Sequence, residues 1–292
     1  KGPPTSMSAC SPNDQEVRHR IARIRDLPTL SGSLQRLVEI IHDEVASPEE
    51  LEALIRYDQA LSARILRVAN STYYGMRGNV PTLSKAMIVM GFEQVKSLCL
   101  CALLMDMCSH QDTIEPGERE RLWKHSFATA RVASEMARAR PWLSPEKAYI
   151  LAFFHDLGRV AMAFSLQDHY QAIWKLSRGG KTPLWSAELQ YGLTHTLVGR
   201  WLATRWNLPE VFQMVMEFHH YPEKSPAFKA EVKLVALSNT LVNSREDPDL
   251  LDDETTSGCR KDLFIPENEW ELCRERLKDI WSEVDQLWTL LR

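Results

Sequence analysis

Residues 148–160 read AYILAFFHDLGRV: seven apolar positions in a row, a His-Asp pair, then Leu-Gly-Arg. The run is too short for a membrane span and does not alternate with polar residues. It predicts an apolar helix that ends at His155-Asp156. An imidazole nitrogen and a carboxylate oxygen from adjacent residues can share one divalent metal, because Zn²⁺, Fe²⁺ and Mn²⁺ all accept mixed nitrogen and oxygen ligands. Gly158 permits close approach of a neighbouring backbone. Arg159 sets a fixed cation beside the pair, either to meet a phosphate or to compensate a helix end on the surface. A second pair, His42-Asp43, has no comparable setting.

Two ligands are not a site, so the other histidines decide. Of nine, His19, His42, His110 and His169 fall in charged or loop-like surroundings. His125, His155, His195, His219 and His220 are spread over about a hundred residues, each on or beside a helical pattern. A metal site in a helical bundle needs that dispersal, since its ligands come from several facing helices. Hydrogen-bonded histidines at unrelated helix contacts would look the same, and from the residues alone both readings stay open.

The 292 residues are 44% hydrophobic, enough for one large core or two modest ones. A net charge of −4 provides no basic field, which disfavours nucleic acid as a partner. Six cysteines without a Cys-x-x-Cys spacing fit buried thiols in a reducing cytosol. With no run of about eighteen apolar residues and no basic-plus-apolar start, neither a membrane span nor secretion is expected, and a cytoplasmic location is.

Outward from the central stretch, residues 1–20 are rich in Pro, Ser and Gly and read as a linker or tail, either the end of a longer protein or a cloning scar. Residues 21–115 read as a first helical lobe. In it Ser47-Pro48-Glu49-Glu50 forms a capping box, Asn70 to Gly75 a turn, Gly91 a helix stop, and Phe92 to Cys108 a central helix apolar all round. Residues 116–243 form a second lobe. A helix there carries His125, and further helices start at Ser144-Pro145, Thr182-Pro183, Thr194 and Pro209. Residues 244–267 include an acidic run without period, read as a solvated loop. Residues 268–292 form a closing helix with a heptad seam at Trp270, Cys273, Leu277, Ile280, Val284, Leu287 and Leu291. That seam either docks on its own domain or pairs two copies into a homodimer. No strand pattern persists, so the fold class is all-α and two-lobed.

The order His125, His155-Asp156 with Leu-Gly-Arg, His195, then His219-His220 resembles the HD superfamily of metal-dependent phosphohydrolases. Within it, the chain is similar to the HDOD domain, the HD-related output domain of bacterial signalling proteins. The first lobe carries that likeness at Leu27-Pro28, Ile55 to Asp58, Leu61 to Ser71 with Tyr74-Gly75, and Ala86 to Gly91. The resemblance implies metal ligands at His125, His155, Asp156, His195, His219 and His220. The last ligand position of the family, an Asp in catalytic members, falls on Asn239, a weak neutral ligand. One divalent ion (Fe, Mn or Zn) is therefore expected rather than a bridged pair, held by His125, His155, Asp156 and one of His219 or His220. Only Tyr221-Pro222 follows the paired histidines, without the Gly-Tyr-Pro motif of the branch that hydrolyses cyclic di-GMP, and Arg159 stands where those enzymes carry Lys.

Two functions follow from the resemblance. In the first, a non-catalytic signalling output domain, the output part of a response regulator behind a receiver or sensor domain, presents a surface to a protein partner. In the second, a metal-dependent phosphohydrolase acts on a nucleotide or cyclic dinucleotide, with Asp156, Arg159 and His195 as its working residues.

Overall fold

The computed structural model describes residues 32–42, 46–71, 80–109, 116–180 and 184–291, and no strand occurs among them. The first lobe comprises α1 (Gly32–His42), α2 (Pro48–Arg56), α3 (Gln59–Ala69), α4 (Leu83–Met90) and α5 (Phe92–Ser109). Its boundaries have local causes. Ser47 Oγ accepts from Glu50 N while Ser47 N donates to Glu50 Oε2, both at 3.3 Å, and Pro48 supplies the first helical residue. Asp58 caps α3, and Thr82 caps α4. Gly91, at φ +91°, turns the chain between α4 and α5 in a conformation that disfavours any side chain. The Asn70 side chain accepts from Val80 N at 2.7 Å and donates to Val80 O at 2.9 Å, clamping both ends of the connection. The residues expected to form the linker, Leu27-Pro28, and Tyr74-Gly75 lie outside the described residues.

Every residue from Leu98 to Leu104 is buried, as a helix apolar on all sides requires. α5 packs on α1, α3 and α4, and its remaining face meets the second lobe at α7. Arg64 of α3 holds both Asp106 oxygens at 2.7 Å.

The second lobe runs through α6 (Pro116–Ala137), α7 (Pro145–Phe154), α8 (Leu157–Ser165), α9 (Gln167–Gly180), α10 (Leu184–Tyr191), α11 (His195–Arg205), α12 (Glu210–Phe218) and α13 (Lys229–Asn243). α7 is the hub: Ala148 to Phe154 are all buried, and its neighbours are α5, α6, α12 and α13. Phe153 stacks with Trp123 of α6 and tilts against Phe127, while Phe154 meets Phe212 of α12 edge-on. Because α7 ends at His155, the pair is delivered to the centre of the lobe. The helix breaks there and resumes as α8.

The expectation of an unstructured acidic loop needs correction. Residues 248–252 form a 3₁₀ turn and Glu254–Asp262 form α14, started by Asp253 accepting from Thr256 N. The acidic cluster hid a cap, since Asp before a short helix reads by composition like any solvated run. The final helix, α15 (Glu267–Leu291), begins one residue earlier than expected. Its seam is spent within the chain: Trp270, Cys273, Ile280, Val284, Leu287 and Leu291 are buried, and α15 crosses α6, α13 and α3 of the first lobe. Among the described residues no single helix is long and apolar enough to cross a membrane.

Candidate metal centre

Four helix ends converge below α7. His125 comes from the middle of α6, His155 and Asp156 from the break between α7 and α8, His195 from the first residue of α11, and His219-His220 from the end of α12. A backbone contact makes the convergence possible. A Cβ on Gly158 would fall on the His195 carbonyl oxygen and lie 2.7 Å from Gly199 N, so only glycine lets α8 and α11 approach this closely.

Asp156 divides the histidines into two groups. Its Oδ2 lies 3.6 Å from His125 Nε2 and 3.5 Å from His155 Nε2, which are themselves 3.3 Å apart. Its Oδ1 lies 3.2 Å from His195 Nε2 and 3.5 Å from His219 Nε2, which are 3.2 Å apart. Ligands about 2.05 Å from a tetrahedral ion stand about 3.4 Å from one another. Both triangles have edges of that size. His220 stands beside the second group, its ring 4.3 Å from that of His219 and stacked on Trp185.

The hydrogen bonds behind the rings fix their tautomers. A carbonyl oxygen only accepts, so His155 Nδ1 donates to Ala152 O (2.6 Å) and His219 Nδ1 donates to Val215 O (3.1 Å). His195 Nδ1 donates to Glu188 Oε2 at 2.5 Å, and the same oxygen accepts from His195 N at 2.9 Å. The neutral rings therefore turn three Nε2 lone pairs inward, toward a carboxylate whose Oδ1 is buried without a hydrogen-bond partner. Lone pairs and an orphaned carboxylate oxygen facing one space fit a cation. A carboxylate or carbonyl behind each imidazole is also the usual support of a metal-binding histidine.

The electrostatics agree. Burial pushes the imidazoles of His155, His219 and His220 below their usual range, and takes His125 down to about 4. Neutral rings are the form that binds metal. Burial would raise the Asp156 carboxyl, but Arg159, then His155 and His195, hold it well below the usual carboxylate range. Burial also opposes charge on His195, yet Glu188 and, more weakly, Asp156 outweigh it and raise its pKa.

Arg159 is mostly covered and committed: its Nη1 donates to Asp156 Oδ2 at 2.7 Å, and its Nε lies 3.8 Å from Glu188. The surface alternative for this residue is thereby removed. Asn239 is buried on α13, and its Oδ1 accepts from Asn243 Nδ2 at 2.9 Å. That oxygen is therefore already engaged within α13. The expected single set of His125, His155, Asp156 and a later histidine is also regrouped, since His219 and His220 share the side of His195. Sequence reasoning missed Glu188 and Trp185. Each sits on a helix with no motif around it, and only the fold shows that Glu188 is fully buried.

An all-helical, two-lobed bundle with a buried His/Asp cluster defines the class. A family model of the HDOD domain matches residues 27–222, and the chain belongs to that family. An uncharacterized protein of Treponema pallidum (strain Nichols) is 25% identical over 223 residues, covering 75% of this chain and 43% of the relative, so the chain spans less than half of that protein's length. Among solved structures, an HDOD domain protein of unknown function from Geobacter sulfurreducens shares 24% identity over 94% of this chain and 97% of its own, with a TM-score of 0.81. A proposed signal transduction protein from Marinobacter aquaeolei VT8 is 18% identical, covering 97% of this chain and 67% of its own, at a TM-score of 0.80. A proposed phosphohydrolase from Shewanella amazonensis SB2B is also 18% identical, over 94% and 98%, at 0.74. These three likenesses are likenesses of fold.

Proposed function

We propose that the chain is the output domain of a bacterial signalling protein, acting in the cytoplasm through contact with a protein partner, with an enclosed divalent metal centre that ties its helices together. The observation that carries this reading is burial. His155 and His195 are 0% exposed, His219 2% and Asp156 3%. A structural metal site is closed by protein ligands, whereas a catalytic one keeps a position open to water and substrate. Arg159, the cation beside the His-Asp pair, is spent on Asp156. An upstream receiver or sensor domain would supply the input, and α6, α7, α11 and α12, joined at one centre, would transmit it.

A second reading has its own observation. Two triangles sharing the two oxygens of Asp156 are suited to a pair of ions, and a bound divalent ion supplies a Lewis acid that lowers the pKa of water. In that reading the substrate is a nucleotide or cyclic dinucleotide, His195 is held by Glu188, and Arg159 turns from Asp156 to the phosphate.

The two separate by one preparation. Protein purified without chelator or metal-affinity resin is analysed for Fe, Mn and Zn, alongside His155→Ala, then assayed on bis-p-nitrophenyl phosphate and cyclic di-GMP. Metal lost in the mutant with no turnover supports the output domain. Metal-dependent turnover abolished in His155→Ala replaces it with the hydrolase.

A further inference from the structure

Away from the histidines, two bulky residues adopt a backbone conformation that neither should occupy. Phe264 has φ +53° and Phe228 has φ +51°. Phe264 follows the C-cap of α14, where Ile265 N returns to Arg260 O at 2.9 Å and Phe264 N to Lys261 O at 3.1 Å. This left-handed position ordinarily holds glycine or asparagine, because a side chain there crowds the backbone. Phe228 is the N-cap of α13, where Ser, Asp or Thr would bond a free N–H; it makes no side-chain cap. The Phe264 ring does not recover the loss by burial, since it is 89% exposed, whereas Phe228 is 37% exposed. A local rule broken at Phe264 without internal return marks a residue kept for an external contact.

Phe264 lines a concavity of about 430 Å³ whose apolar wall it forms with Ala230 and Leu263, and Phe228 precedes Lys229 of the same lining. Lys233 lines it too, but is neutralised by Asp262 and by Glu223 at 3.1 Å. Lys229 and Lys261, both exposed on the rim, form no ion pair among the described residues. An apolar hollow between two exposed ammonium groups, edged by the exposed Phe264 ring, complements a segment carrying one apolar side chain between carboxylates.

We propose that this hollow between α13 and α14 docks an acidic peptide segment of a partner protein, with one apolar side chain seated against Phe264 and flanking carboxylates on Lys229 and Lys261. The proposal rests on the output-domain reading and specifies its partner surface. A membrane would meet the same rings and lysines, but a concave apolar wall suits a single inserted side chain better than a lipid plane.

The test uses the full chain with a fluorescein-labelled twelve-residue peptide of Asp and Glu around one central leucine, read by anisotropy and by amide NMR shifts. Binding should weaken with salt, lose at least tenfold when the leucine becomes serine, and shift the amides of Phe228, Lys229, Lys261 and Phe264. Phe264→Gly discriminates most sharply. It should lower affinity at least tenfold while raising Tm by about 2–4 °C, because glycine relieves the left-handed strain. A lower Tm in Phe264→Gly would show that the ring serves the fold, and unchanged affinity would remove it from the site; either overturns the proposal. No shift at millimolar peptide, binding only to anionic phosphatidylglycerol vesicles, or self-association through this face would also overturn it. These results leave metal content and phosphodiester turnover untouched, so failure here is distinct from failure of the output-domain reading.

Discussion

Glu188 shows how much of the centre depends on one side chain that is not itself a ligand. It accepts both the ring and the backbone N–H of His195, fixing which nitrogen faces Asp156. Glu188→Gln keeps the shape but removes the charge, and metal affinity should fall about 10- to 100-fold, as for other supports of metal-binding histidines, measured by competition with a chromophoric chelator. Acid should act through the same residues in metal-free protein. Unfolded histidines titrate near 6.5, whereas His125 is held at about 4 and His155, His219 and His220 are also depressed. Between those values the unfolded chain binds more protons, so stability should fall as pH drops from about 6.5 toward 4. His195, with its raised pKa, takes up its proton above 6.5, so its own contribution is already present below that value. Urea midpoints across that range in the presence of a chelator measure the slope, and a flat profile would contradict the depressed values.

At the scale of elements, the α8–α11 crossing is set by Gly158 and Gly199, and a Cβ on Gly199 would lie 3.3 Å from Met216 Cβ of α12. Gly158→Ala gains helix propensity of about 1 kcal/mol, yet its methyl would collide with backbone that cannot move without displacing His195. Overpacking of this kind costs about 1–3 kcal/mol or more, so the clash wins. Thermal melts should show net destabilisation, and elemental analysis should show lost metal. α15 offers a second comparison. Trp270 is buried under the Arg260 guanidinium, while Glu283 accepts from Arg131 at 3.0 Å and Arg276 at 3.2 Å near the surface. Burial of a large ring outweighs partly exposed ion pairs, so Trp270→Ala should cost about 3–5 kcal/mol and Glu283→Ala about 1 kcal/mol or less, read from urea midpoints.

Across the whole molecule, α5 against α7 and α15 against α3 join the two lobes. One cooperative melt is therefore expected. Chelation should lower its midpoint as a unit, because a ligand present at 100 times its Kd stabilises the folded chain by about 2.7 kcal/mol. Two separate transitions in calorimetry, with only one moved by chelator, would show that the lobes are independent.

Much of this architecture was legible beforehand, for physical reasons that act over a few residues. The Ser47 box, the stop at Gly91, the α7 run and the seam of α15 are consequences of capping, backbone freedom and the helical period, all local to the chain. The histidines were legible as candidates by their order, and Gly158 as a place of close approach. Tertiary structure alone decided the rest. It set His195 and His219 on one oxygen of Asp156 and His125 and His155 on the other, buried Glu188 behind His195, turned Asn239 toward Asn243, and spent the seam of α15 inside the chain. The seam was open to either partner in sequence because heptad periodicity shows that a face must be covered, not what covers it. Ligand geometry was unreadable for a similar reason: residues dozens of positions apart meet only when helices have packed, and which nitrogen points inward depends on the groups packed behind each ring.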